Sequence, residues 1–271
     1  AEEDFATRCA DNLDRMIVEE GPETVAAFFA EPVMGAGGVI VPPATYFEKI
    51  QVVLKKHDVL FVADEVICGF GRTGEMWGCQ TYGLEPDILT CAKALTSGYI
   101  PIAAIMINKR VFDAIAPQTE EIGTFGHGFT YSGHPVPAAV AIETLKIYEK
   151  MDLVARVKQA STPFLNRLHS FGAHPLVGET MGVGLVGAIE MVADKETHAP
   201  LDRPGKAGAY LVARAQEHGL IVRALGDRIA FSPPLIISDA EITQMFDRFA
   251  AALDETADWL STQILATQNQ A

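Results

Sequence analysis

Apolar residues recur along the chain with two different periods. Over residues 2–19, Phe5, Cys9, Leu13, Met16 and Ile17 return to one face of a helix, and Gly21-Pro22 predicts its end. Val25 to Ala30 is instead a short unbroken apolar run between turn signals, which predicts a buried strand. Val59 to Ala63, Ile88 to Ala92 and Ile102 to Ile107 repeat that texture, and a helical pattern fills 44–56. Continuous apolar strands alternating with helices predict a parallel sheet covered on both faces. A helix is expected from about Pro135 to Lys150, with helical pattern continuing to about His169. After Phe171 the texture changes to strands near 181–190, 220–223 and 228–231, with helices near 205–218 and 239–258. The fold class expected is α/β, with a larger domain over residues 1–160 and a small C-terminal α/β domain over 161–271. The chain opens on a helix and reaches a core strand by Val25, so it reads as though it starts in the middle of a domain.

Composition narrows the function classes. Of 271 residues 49% are apolar, enough for a sizeable core, and the formal net charge of −14 argues against binding a phosphate backbone. No apolar run approaches the length that spans a bilayer. The cysteines, Cys9, Cys68, Cys79 and Cys91, fit no common zinc spacing, and the histidines are scattered. No metal is therefore expected. Reduced thiols and a polar, acidic opening without a signal peptide suggest the cytoplasm.

In an open parallel sheet, ligands bind at the carboxyl ends of the strands. Three predicted strands end in ionisable residues: one at Glu31, one at Asp64-Glu65 and one at Lys93. Each alone could be a solvated strand end. Together they supply a lysine able to act as a nucleophile toward an aldehyde and a carboxylate able to hold a pyridinium nitrogen protonated. The loop from Gly126 to Gly133 leads into the helix near Pro135, and amides at a helix start beside the Thr130 hydroxyl could take a phosphate. On its own such a loop is more often only a turn.

At these residues the chain resembles a known family. The runs AEPVMGAGGVIVPPATYF, LFVADEVICGFGRTGEMWG, PDILTCAKALTSGYIPIAA and FGHGFTYSGHPVPAAVA resemble, in order and spacing, class III aminotransferases of pyridoxal-5′-phosphate (PLP) fold type I. The resemblance implies that Lys93 forms the imine with the PLP aldehyde, that Asp64 faces the pyridine nitrogen and that Val66 packs on the ring. It further implies that Thr130, with Phe129 beside it, reaches the phosphate of a neighbouring subunit's cofactor, hence a homodimer. Glu31 matches a family glutamate on the substrate side.

Two departures matter. Members resembling ornithine or 4-aminobutyrate aminotransferases pair that glutamate with an arginine just before an F-x-P-P segment, where this chain has Ala230. It carries Arg223 in GLIVRALG instead, as in the amine:pyruvate (ω-transaminase) branch, where an arginine there binds substrate carboxylates. A guanidinium suits that task by bidentate pairing. Family members also carry a long N-terminal stretch before the equivalent of Ala1, which makes this chain, by resemblance, part of a longer protein. The reaction expected is transfer of an amino group from an amine or ω-amino acid to a keto acid such as pyruvate. An aminomutase using the same lysine, and a silent piece serving only in assembly, remain open. A dinucleotide site has little support: G-x-G-x-x-G occurs at Gly69–Gly74 and again at Gly182–Gly187, without the helix and acid that should follow.

Overall fold

The amphipathic opening segment is helix α1 (Glu2–Glu20), which buries Ala6, Ala10 and Ile17 and stops at Gly21. Gly21 has a φ of 89°, a conformation that a side chain would strain. In the computed structural model, which describes residues 1–268, strand β1 (Ala27–Ala30), helix α2 (Tyr46–His57) and strand β2 (Leu60–Asp64) follow. The short helix α3 (Gly78–Tyr82), strands β3 (Ile88–Cys91) and β4 (Ala104–Ile107), and helices α4 (Lys109–Ile122) and α5 (Pro135–Met151) come next. These elements build the first of two units, residues 1–33 with 42–154.

The first unit's sheet has the order β1-β2-β3-β4. β1, β2 and β3 are parallel, with Phe29 beside Val62 and Val62 beside Ile88. Phe47 of α2 packs over Phe61 with ring centroids 6.2 Å apart, covering one face. The α/β fold with a parallel-rich sheet is as expected, and its one antiparallel pairing lies at the β4 edge. β4 runs antiparallel to β3, Ile88 pairing with Ile107, and Ile105, Met106 and Ile107 are exposed. Residues 92–103 explain the direction: they hold only a 3-10 turn at Lys93–Leu95, whereas a parallel return needs a longer crossover, usually a helix.

The helical pattern expected to run from 135 to 169 is interrupted at Asp152. That residue takes a left-handed φ of 45° between α5 and helix α6 (Leu153–Ser170). The second unit joins residues 34–41 to residues from Ala155 onward. Its elements after α6 are β5 (Val177–Val183), β6 (Val186–Met191), α7 (Lys206–Glu217), β7 (Arg223–Leu225), β8 (Arg228–Phe231) and α8 (Asp239–Gln268). The strands form an antiparallel sheet in the order β5-β6-β8-β7. β7 begins at Arg223, so the strand expected at 220–223 lies later in the chain. Phe231 sits 5.3 Å from Phe246 and 4.9 Å from Phe249, and Phe164 lies 5.4 Å from Phe246, all four rings buried. Among the described residues no helix is long and apolar enough to cross a membrane.

Candidate active site

Sheet register brings three ionisable residues side by side. Ala30 pairs with Ala63 and Asp64 with Thr90, so Glu31, Asp64 and Lys93 stand at or just beyond the carboxyl ends of adjacent parallel strands. Such strands lie about 4.8 Å apart, within reach of one small ligand. Asp64 Oδ1 accepts the Val66 N–H at 3.0 Å and the Thr90 hydroxyl at 3.5 Å. Its Oδ2 makes no hydrogen bond among the described residues, which leaves an acceptor for a ligand cation. Val66 and Glu31 are half-buried beside it.

Lys93 opens the 3-10 turn after β3 with a φ of 41°. A side-chain-bearing residue holds such a backbone at a cost of about 1–3 kcal/mol, sustained only where its surroundings fix it. Here Leu95 N–H bonds Ala92 O at 3.0 Å, and the buried Thr96 hydroxyl bonds Ile100 O at 2.7 Å. The Lys93 side chain is exposed and forms no ion pair or hydrogen bond among the described residues.

The second acid of the Asp64-Glu65 pair has a different fate. Strand alternation turns it to the other face, where Glu65 is fully buried. Its Oε2 accepts Gly78 N–H at 2.9 Å and its Oε1 accepts Cys79 N–H at 2.6 Å, the first two amides of α3. Neighbouring groups are chemically quiet. Burial pushes the Cys68 thiol up to about 12 and raises Cys79 as well, so neither is a thiolate at neutral pH. Burial pulls the Arg72 guanidinium down to about 10, which leaves it charged. Around the first G-x-G-x-x-G match, Phe70 and Gly71 both donate to Met76 O, closing a turn, and the second match lies in the β5–β6 hairpin. Neither opens directly into a helix as a dinucleotide loop does.

The glycine-rich loop 123–134 is exposed throughout, and Phe129 is 85% exposed. The Phe129 N–H bonds Ser132 Oγ at 2.8 Å, and His134 Nδ1 accepts Val136 N–H at 3.2 Å, capping α5. The Thr130 hydroxyl has no hydrogen-bond partner among the described residues. Arg223 is exposed on β7 of the second unit, directly across the ladder from Ala230. The structure thus gathers Glu31, Asp64, Val66 and Lys93 on neighbouring strand ends. Phe129, Thr130 and Arg223 it places on exposed backbone elsewhere. Sequence reasoning missed Thr90, a polar residue in the apolar run ILTC whose register sets it beside Asp64, and missed the structural use of Glu65.

A strand-end lysine beside a carboxylate with a free oxygen is the equipment for a carbonyl cofactor with a protonated ring nitrogen. The family model for class III aminotransferases matches residues 1–253, and the chain belongs to that family. It is 52% identical to gamma aminobutyrate transaminase 3, chloroplastic, of Solanum lycopersicum over 94% of this chain and 49% of that protein. It is 49% identical to gamma-aminobutyrate transaminase 1, mitochondrial, of Oryza sativa subsp. indica over 95% of this chain and 50% of that one. Among solved structures, the ω-transaminase from Pseudomonas jessenii in complex with PMP is 54% identical with a TM-score of 0.94, covering 96% of this chain and 58% of that one. A transaminase with L-alanine gives 53% identity and the same TM-score of 0.94, over 96% of this chain and 61% of that one. The chain spans about half the length of the curated relatives it matches.

The family is PLP-dependent, and the residues present fit that cofactor. Lys93 offers an unpaired amine for the aldehyde, and Asp64 Oδ2 an open acceptor for the ring N–H.

Proposed function

We propose that the protein transfers an amino group from an amine or ω-amino acid to a keto acid such as pyruvate, using PLP. The observation that carries this reading is the unpaired Lys93, held in strained backbone just beyond the end of β3, the strand adjacent to the half-open Asp64 carboxylate. PLP, when bound, supplies a carbonyl that accepts the amino group and a ring that stores electron density. Lys93 is the residue to hold it covalently and, once released, to move a proton at the substrate carbon as general base and acid. Asp64 keeps the ring nitrogen protonated. Val66 packs on the ring, and Glu31 faces the substrate side. Thr130, exposed beside Phe129, serves the phosphate site of a second copy, which makes the working form a homodimer. Arg223 pairs with the carboxylate of the keto acid.

A donor that is an amine or ω-amino acid accords with relatives named gamma-aminobutyrate transaminases and a neighbour named an ω-transaminase. The four cysteines are unpaired, which suits a reducing compartment, and the cytoplasm is the one proposed. Similar proteins carry chloroplastic and mitochondrial in their names.

Borohydride reduction after PLP loading, followed by peptide mapping, tests the central assignment. The label is expected on Lys93 and is lost entirely in Lys93→Ala. A label on another lysine removes Lys93 from the mechanism.

A further inference from the structure

Asp64 and Glu65 are adjacent acids with opposite surroundings, one half-exposed and one sealed. We infer that Glu65 is a positioning residue for Asp64: its buried carboxylate, fastened to the first two amides of α3, fixes the turn that orients the Asp64 carboxylate. This rests on the reading of Asp64 given above.

Glu65 is held at three points. Its N–H donates to Thr90 O at 2.9 Å, its C=O accepts the Gly69 N–H at 2.9 Å, and its carboxylate takes the amides of Gly78 and Cys79. Both groups that bond Asp64 Oδ1 attach to this anchor. Val66 follows Glu65 in the chain, and Thr90 is the residue whose carbonyl holds the Glu65 amide. A displacement of Glu65 therefore reaches the Asp64 carboxylate through the chain itself and through both of its bonds.

The surrounding packing leaves the turn no slack. A Cβ added at Gly69 would stand 2.7 Å from Glu65 O, and one at Gly78 would stand 2.8 Å from Pro32 Cβ and 2.9 Å from Cys68 Cβ. Capping α3 does not by itself account for a buried acid. A five-residue helix is ordinarily capped by a short polar side chain at its own N-cap, and here that position is Trp77, which provides no cap bond. The acceptor comes instead from the residue next to Asp64, thirteen positions earlier than Gly78.

The test compares PLP-loaded wild type, Asp64→Asn, Glu65→Gln and Thr73→Ala by cofactor absorbance across pH. Thr73 is buried in the same loop and bonds Thr81, with no bond to Asp64. Glu65→Gln replaces one of two accepting oxygens with an NH₂ that faces an amide N–H. It is expected to move the midpoint of the cofactor band in the same direction as Asp64→Asn, by about one pH unit, the scale of a weakened opposite-charge contact. Thr73→Ala is expected to lower Tm and leave the midpoint unchanged. A Glu65→Gln protein that behaves like Thr73→Ala overturns the inference and leaves the role of Asp64 standing. An unmoved midpoint in Asp64→Asn overturns the role of Asp64 and this inference with it. Should Glu65→Gln fail to fold, amide exchange in the wild type decides. By reciprocal coupling, PLP loading should slow exchange at Gly78 and Cys79 by about fivefold or more, and equal rates overturn the inference.

Discussion

The two units solve the burial of apolar surface in different ways. In the second, the rings of Phe164, Phe231, Phe246 and Phe249 form a continuous aromatic centre at most 2% exposed. Strands from one sheet and helices α6 and α8 contribute to it, so the unit closes on itself. In the first, edge strand β1 shows Phe29 at 70% exposure and edge strand β4 shows Ile105 at 58%. Its interior holds Ile17, Ile50, Leu54, Phe61 and Val62, and its ionisable groups Asp64, Glu65 and Lys93 stand at the strand ends. Both units bury apolar side chains, but the first leaves apolar residues exposed on its edge strands and carries the ionisable strand ends. Loss of an aromatic ring should therefore matter in one unit and hardly at all at the edges of the other.

That contrast gives the largest expected stability effect. Phe246→Ala should cost about 3–5 kcal/mol, because the cavity lies among rings that cannot all move into it. Phe29→Ala or Ile105→Ala should stay within about 0.5 kcal/mol, since neither side chain is sealed from water. Urea unfolding of the three variants measures both sides, and comparable losses would break the comparison.

A smaller effect sharpens it. The second unit carries, besides its core, the exposed Arg223. Replacing it by alanine should leave stability nearly unchanged yet weaken the keto acid by about 2 kcal/mol, roughly thirtyfold in KM, through loss of a charge-assisted pair. An uncharged amine donor should be affected far less. Steady-state kinetics with both substrates decides, and equal losses would remove Arg223 from substrate selection. Its place opposite Ala230 gives the residue a cross-strand neighbour too small to obstruct the guanidinium.

How legible these features were follows from what leaves a trace in a pattern. α1, α2 and the apolar strands announce themselves because each buries one face or both. α4 was not anticipated, although Val111, Ile115 and Ile122 recur on one face of it; Pro117 within the helix breaks the pattern that a reading of the sequence relies on. The direction of β4 is invisible in a run such as AIMI, since apolar character is the same either way along the chain. At the candidate site, the pairing of strand-end acid and lysine was readable from residue type and from resemblance. The division of labour between Asp64 and Glu65 was not. Alternation sends neighbours to opposite faces, but only tertiary packing decides which face α3 covers. Thr90 could have been found by asking which polar residue interrupts a buried strand.

The smallest expected effect lies far from the chemistry, where α1 meets α2. Asp14 accepts a bond from Lys56 at 2.8 Å and lies 2.5 Å from His57 Nε2, and these partners hold its carboxyl below the usual range of a free aspartate. The sign follows from linkage. A carboxylate whose folded pKa is depressed contributes stability that is fully present above about pH 4, its unfolded range, and is lost as pH falls through the folded value. Asp14→Asn should therefore be less stable than wild type at neutral pH, and the gap should close only in acid below that range. The effect should also shrink with added salt, because the pair with Lys56 is open to solvent. Thermal melts of both proteins from pH 7 down to pH 3, at low and high ionic strength, read this directly. A gap that persists unchanged in acid would mean that Asp14 acts by shape and not by charge, and that this helix contact of the first unit is held by packing like the core of the second.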